Sequence, residues 1–371
     1  MKTALSFDDV LLVPRKSKIK SRKDVNLFSS LKDGFYGLSL PIISSPMDTV
    51  TGKRMIKSMK AHGGLGIAHR YCSIEEQVEM AMPEQKKEKK KESKPPHEYD
   101  FHSPRPGYRF FDDELSTSSF KEITTGAAIG VTGDYLERAQ ELVKVGCNVL
   151  CVDVAHGHHI SVKEALQALK KEFGDDVVLI AGNVATKKAF EDLDRWGADA
   201  IRVGIGGGSI CSTRLQTGHG VPTLQSIMDC VNADAEAKVI ADGGIRNAGD
   251  IVKAYAAGAD FVMLGSMLAG TDQSPGQVFS SQDGKKYKVY RGMASVEAQV
   301  DWRGQARSLE GISTTIPYKG SVVKILQDLE QNIRSGLSYS GANYLYDLWY
   351  NAKFIRQTQA GMKESFTHIL T

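Results

Sequence analysis

The chain has 371 residues, 41% of them hydrophobic and 25% charged, with a formal net charge of +3. That balance excludes a wholly disordered chain, and the absence of a basic face interleaved with aromatics removes any footprint for a nucleic-acid partner. No apolar run reaches the roughly 18 to 20 residues a bilayer span requires, no signal-peptide order opens the chain, and Cys72, Cys147, Cys151, Cys211 and Cys230 show no CxxC spacing, so a cytoplasmic protein with free thiols and no membrane partner is expected.

Short apolar runs ending in small or polar residues lie at 41–45, 65–69, 127–131, 149–153, 178–182, 200–203, 238–242 and 261–265. Helical periodicity fills the stretches between them, which is the pattern of βα units around a parallel sheet. Several runs, such as VLCVDVA and FVMLG, are apolar on both faces, as strands packed inside and out must be. Eight strands predict an α/β fold, a (β/α)₈ TIM barrel spanning 1–371 as one domain. A doubly wound open sheet would want a Gly-rich fingerprint after its first strand, and none is present.

Asp134 is placed to cap the helix YLERAQELVK, with Gly146 as its stop, and similar stops stand at Gly174, Gly197 and Gly258. Gly197-Ala198-Asp199 and Gly258-Ala259-Asp260, each followed by an apolar run, form a weak internal repeat. Between 84 and 120 the lysine-rich run QKKEKKKES and several prolines interrupt the rhythm. A charged, flexible surface insertion is predicted there, and two roles are open to it: a solvated loop or a site for an acidic partner.

The segment Gly204 to Arg214 (GIGGGSICSTR) follows the sixth strand and therefore opens at the C-terminal mouth, where barrel enzymes build their sites. Its glycines allow close backbone approach to a ligand, and a cysteine in such a loop is a candidate nucleophile. Ala241-Asp242-Gly243-Gly244 and Gly265-Ser266 follow the seventh and eighth strands, whose loops often hold a phosphate through backbone amides. Tight turn punctuation is the other reading of those glycines. Asp242 at a strand end suits the hydroxyls of a ribose or the cap of the next helix. His156, His158 and His159 follow the fourth strand, where a polar rim is favoured over a metal site because no carboxylate or cysteine completes a ligand set.

Taken together, SFDDVLLVP, PIISSPMDTV, GGLGIAHR, AGNVAT, GIGGGSICSTR, ADGGIRNAGDIVKAYAAGADFVMLGSMLAG, YRGM and EGI resemble the IMP dehydrogenase and GMP reductase family across nearly the whole chain. The resemblance implies that Cys211 attacks C2 of a purine mononucleotide, with Thr213 and Glu310 handling protons. It implies that Ser45, Ser209, Asp242, Gly244, Gly265, Ser266, Tyr290, Gly292 and Met293 hold the nucleotide. Asp153, Asn183, Thr186 and Arg307 would face a nicotinamide cofactor, and the carbonyls of Gly204, Gly206 and Cys211 would surround a monovalent cation such as K⁺. It also implies a homotetramer and an active-site flap over 294–320.

The family contains two reactions. Its dehydrogenases carry an Arg-Tyr pair in a long flap, whereas this chain reads ASVEAQVDWRGQARSLEGI, a short flap without that pair. This favours GMP reductase with NADPH. YRGM, LAGTDQSPG and VDVAHGHH look more like the dehydrogenase that uses IMP and NAD, in which Arg303 would replace the missing base. Gly207 departs from the proline usual in the cysteine loop of both branches. The regulatory module that many dehydrogenases insert after the second strand cannot fit between 71 and 125. A noncatalytic purine-nucleotide sensor is the third reading, opposed by the retention of Cys211, Thr213 and Glu310 together.

Overall fold

The computed structural model describes residues 3–32, 35, 37–83, 121–307 and 309–367; the insertion expected at 84–120 lies outside them. Eight parallel strands close into a barrel in chain order: Ile42–Ser44, Leu65–Ala68, Gly126–Ile129, Val149–Asp153, Val178–Val184, Ala200–Val203, Lys238–Asp242 and Phe261–Leu264. Each falls on one of the predicted runs. Strands buried on both faces divide their side chains between two cores. Ile43, Ile67, Ala128, Cys151, Ile180, Ala200, Ile240 and Met263 belong to the cluster that fills the barrel, closed at one end by Leu31, Phe35 and Leu38. Ile42, Leu150, Leu179, Ile201, Val239 and Val262 point outward against the helices.

Those helices are Lys53–Ala61, Ile74–Ala81, Tyr135–Lys144, Ile160–Phe173, Lys187–Arg195, Thr223–Val231, Ala248–Ala256 and Val322–Tyr339. The last packs beside both Ala248–Ala256 and Lys53–Ala61 and so completes the outer ring. The predicted stops Gly146, Gly174, Gly197 and Gly258 all take positive φ, between 56° and 105°. Asp134 stands at its helix's N-cap position but does not cap it. Its carboxylate instead accepts from Nη2 of the buried Arg138 at 2.7 Å, a charge-assisted bond that outcompetes a neutral cap.

The Gly-Ala-Asp repeat is structural. Asp199 Oδ2 accepts from the Leu179 N–H at 2.7 Å, and Asp260 Oδ2 accepts from the Val239 N–H at 2.8 Å. Each aspartate therefore pins the start of the preceding strand, the same job one pair of βα units apart.

After the eighth strand the chain leaves the barrel for an antiparallel sheet of Phe279–Ser280, Lys286–Arg291 and Ser313–Pro317. Arg291 pairs with Ser313, so the excursion between them hangs from a hydrogen-bonded base. The predicted flap range thus takes in the strand Ser313–Pro317. A short helix, Val296–Arg303, lies within it, capped by Ser295 Oγ.

Candidate active site

Cys211 is exposed, while Cys72, Cys147, Cys151 and Cys230 are buried. Burial pushes the Cys72 and Cys147 thiols up to about 11 and those of Cys151 and Cys230 up to about 12. Only Cys211 combines access with a place at the barrel mouth. Its Sγ donates to Thr213 Oγ1 at 3.2 Å, and Thr213 Oγ1 donates to Glu310 Oε2 at 2.7 Å. Backbone pairing holds Glu310 in place: Ser212 N–H donates to Glu310 O at 2.8 Å, and Ile312 N–H to Ile210 O at 3.0 Å. The far end of the excursion is therefore zipped to the cysteine loop.

The nucleotide residues expected from sequence gather nearby. Ser209 Oγ lies 3.4 Å from the phenol oxygen of Tyr290, whose burial raises its pKa. A side chain at Gly265 would meet that same phenol oxygen at 3.2 Å and Ser45 Oγ at 3.4 Å, so only glycine leaves the space between them open. Gly244 takes φ 79° beside the cysteine loop, Ser266 O accepts from Lys319, and Gly292 N–H donates to Ile312 O. Met293 Sδ accepts from the Asp48 N–H at 3.4 Å.

Inside the mouth, Arg202 sits between two carboxylates. It bonds Asp153 and donates to Asp242 Oδ2 from Nη2 at 2.9 Å and from Nε at 3.1 Å. Burial opposes its charge, but Asp242 and Asp153 together outweigh that and raise its pKa. Asn183 Nδ2 donates to Asp242 Oδ2 and to Gly204 O, both at 2.8 Å. Asp242 is thus no helix cap; the following helix is capped by Asn247, which accepts from the Asp250 N–H at 2.9 Å.

Of the expected cofactor residues, Asp153 is also approached by Arg70, at 3.7 Å. Thr186 caps the helix Lys187–Arg195, and Arg307 N–H is taken by Gln299 Oε1 at 2.9 Å. Of the carbonyls expected around a cation, that of Gly204 accepts from Asn183 Nδ2. His158 bonds Asp192 at 2.9 Å and stacks on Trp196, and His159 caps Ile160–Phe173. Among the described residues no cluster of three His, Cys, Asp or Glu suited to a metal is found, and no helix is long and apolar enough to cross a membrane.

Sequence reasoning singled out neither Arg202 nor the contacts of Arg291 and Trp302. Arg202 was signalled by a lone charge in the apolar run AIRV. Arg291 joins Asp48 (2.6 Å) to Asp301 (2.5 Å) of the flap helix, and Trp302 stacks on Tyr71 at 5.9 Å. Arg303 lies over the same Tyr71 ring at 5.9 Å.

The sequence profile of the IMP dehydrogenase / GMP reductase domain matches residues 4–368. The chain belongs to the IMP dehydrogenase / GMP reductase family. Relatives include an inosine-5'-monophosphate dehydrogenase of Nitrosopumilus maritimus, 35% identical over 99% of this chain and 98% of that protein. A GMP reductase of Leishmania major is 34% identical, covering 98% of this chain and 96% of its own length. A dehydrogenase of Borreliella burgdorferi is 37% identical over 99% and 97%. Among solved structures, a cysteine-to-alanine variant of GMP reductase from Trypanosoma brucei in complex with guanosine 5'-monophosphate superposes with a TM-score of 0.83 at 32% identity, covering 99% of this chain and 98% of that one. Family members are oxidoreductases of purine nucleotides, and this chain is an enzyme of that class.

Chain length does not separate the two branches. The alignment with the Leishmania reductase runs over 481 positions and that with the Borreliella dehydrogenase over 399, so extra segments absent from the 371 residues here occur on the reductase side.

Proposed function

We propose that this family member is the reductase, converting GMP, NADPH and a proton to IMP, ammonia and NADP⁺. The observation that carries this reading is the short flap ASVEAQVDWRGQARSLEGI, which lacks an Arg-Tyr pair; the hydrogen-bonded line from Cys211 through Thr213 to Glu310, open to either reaction, supplies its proton path. Cys211 Sγ adds to purine C2, its proton passing to Thr213 and the Glu310 carboxylate. The same pair then protonates the 2-amino group, which departs as ammonia and leaves a C2–S bond conjugated with the ring. The nicotinamide supplies the hydride to C2. Cleavage of the C2–S bond then releases IMP and restores the thiol.

In this reading Ser209, Tyr290, Ser45, Gly265, Ser266 and Gly244 seat the phosphate and ribose, with Asp242 on the ribose and Gly292 and Met293 on the base. Asp153, Asn183, Thr186 and Arg307 lie toward the dinucleotide. K⁺ on the carbonyls of Gly204, Gly206 and Cys211 and a homotetrameric assembly complete the proposal.

A second reading, IMP dehydrogenase with Arg303 as the hydrolytic base, draws support from the spatial Arg303–Tyr71 pair. Purified protein given GMP with NADPH, and separately IMP with NAD⁺, decides between them at the reduced-nicotinamide absorbance band. A fall in the first supports the reductase; a rise in the second overturns it. Loss of turnover in Cys211→Ala tests the covalent step in either case.

A further inference from the structure

Thr223 opens the helix Thr223–Val231, and it is 4% exposed, yet its hydroxyl has no hydrogen-bond partner. A buried hydroxyl left unpaired is destabilising, so its retention asks for a reason. Its surroundings supply one. A side chain at Gly207 would come within 2.5 Å of Thr223 Oγ1, one at Gly204 within 3.4 Å, and one at Gly244 within 3.6 Å. The hydroxyl therefore occupies the junction of the cysteine loop and the glycine turn after the seventh strand, in the space residue 207 leaves by having no side chain. The nearest backbone around that space includes Gly243, whose O lies 3.6 Å from the position of a Gly207 Cβ, and Gly207 O, 3.5 Å from that of a Gly244 Cβ.

Three consecutive glycines, 206–208, give the cysteine loop little stiffness of its own, since each lacks the Cβ that narrows backbone freedom. Stiffness missing from the loop has to come from beneath it.

We propose that Thr223 is a positioning residue for Cys211: its γ-oxygen fills the place vacated at Gly207, supports the nucleophile's loop from below and donates its one proton to a backbone carbonyl at this junction when a nucleotide is seated. Gly207 and Thr223 are then matched in size, and neither is replaceable alone. This rests on Cys211 being the nucleophile, but its test reads the thiol directly and does not depend on which reaction the enzyme runs.

The test is a cycle of Gly207→Ala, Thr223→Ala and the double variant in the full chain. It is read by iodoacetamide alkylation of Cys211 and by kcat and KM for the nucleotide. Gly207 does not take a positive φ, so alanine there is opposed by contact and not by backbone strain. Gly207→Ala is expected to change the Cys211 alkylation rate and lower kcat by roughly tenfold, and the double variant, which relieves the contact but still lacks the hydroxyl, restores the alkylation rate and leaves kcat no lower than in Thr223→Ala. Thr223→Val, which keeps the shape and deletes the hydroxyl, lowers kcat by roughly tenfold with KM within about twofold, and Thr223→Ser recovers it. Independent, additive effects at 207 and 223, or a Thr223→Val enzyme with wild-type kcat, would overturn the proposal. Turnover surviving in Cys211→Ala would instead remove the nucleophile reading, whatever the cycle shows.

Discussion

Thr213 donates its hydroxyl proton to Glu310 at 2.7 Å although 97 positions separate the two in sequence. The barrel supplies one partner and the excursion beyond it supplies the other, so this contact, the proton path of the proposed reaction, exists only while the excursion's far end is paired to the cysteine loop. Replacing Glu310 by Gln keeps the size and the acceptor but removes the base. GMP-dependent NADPH oxidation is expected to drop on the order of 100-fold in kcat with the melting temperature unchanged. A Glu310→Gln enzyme within a fewfold of wild type would show that the proton travels elsewhere.

Thiol labelling follows from the contrast in burial. At pH 8 the native chain is expected to take up a single equivalent of iodoacetamide, at Cys211, since the buried thiols stay protonated with pKa values raised to about 11 or 12. Peptide mass mapping checks this, and rapid modification at Cys151 would contradict the packing of the barrel interior.

Arg202 is a buried cation whose charge is stabilised by Asp153 and Asp242. Arg202→Met leaves two carboxylates facing each other without their partner, a change that costs about 3 to 5 kcal/mol in buried pairs. A large fall in the denaturant midpoint, with nucleotide affinity also lost, is the expected outcome.

His69 is buried at the end of the second strand, and that burial lowers its pKa despite the opposing pull of Asp48 and Glu76. A histidine with a folded pKa below its unfolded one binds protons more readily when unfolded. Its contribution to stability is therefore present above about pH 6.5 and declines as pH falls through the folded value. His69→Gln is expected to flatten the dependence of melting temperature on pH below 6.5; an unchanged slope would assign the acid sensitivity to other groups.

Tyr71 and Trp302 fasten the flap helix to the loop after the second strand. Aromatic pairs contribute about 0.5 to 1.5 kcal/mol beyond area burial, so Tyr71→Ala is expected to speed tryptic cleavage after Arg303 and Arg307 severalfold. Cleavage at wild-type rate would mean that the Arg291–Asp301 ion pair alone fastens the helix.

The barrel was legible because strands buried on both faces leave apolar runs that few other structures need, and because glycine stops such as Gly197 and Gly258 require a backbone conformation other residues resist. Cys211 stood out from its loop. Glu310 did not: only the family resemblance joined it to Thr213, since no local pattern reports a contact made by a distant excursion. The sheet that carries that excursion was missed although KYKVYR alternates with the period of a strand. Asp134 misled because the cap rule is local, whereas a buried guanidinium from Arg138 offered its carboxylate a stronger partner. Thr186 and Asn183, expected at the cofactor, also serve the fold, one as a cap and one as a clasp between Asp242 and Gly204.

The pairing of Arg291 with Ser313 makes the intervening segment a loop whose closure has already been fixed by the sheet. For a loop with joined ends, doubling the length adds only about 0.6 kcal/mol of entropic cost. Changes of length between those two residues therefore weigh little on the stability of the barrel. Selection could rewrite the chemistry delivered to Cys211 by editing this one stretch, which makes it the natural place for two reactions to diverge on a common scaffold.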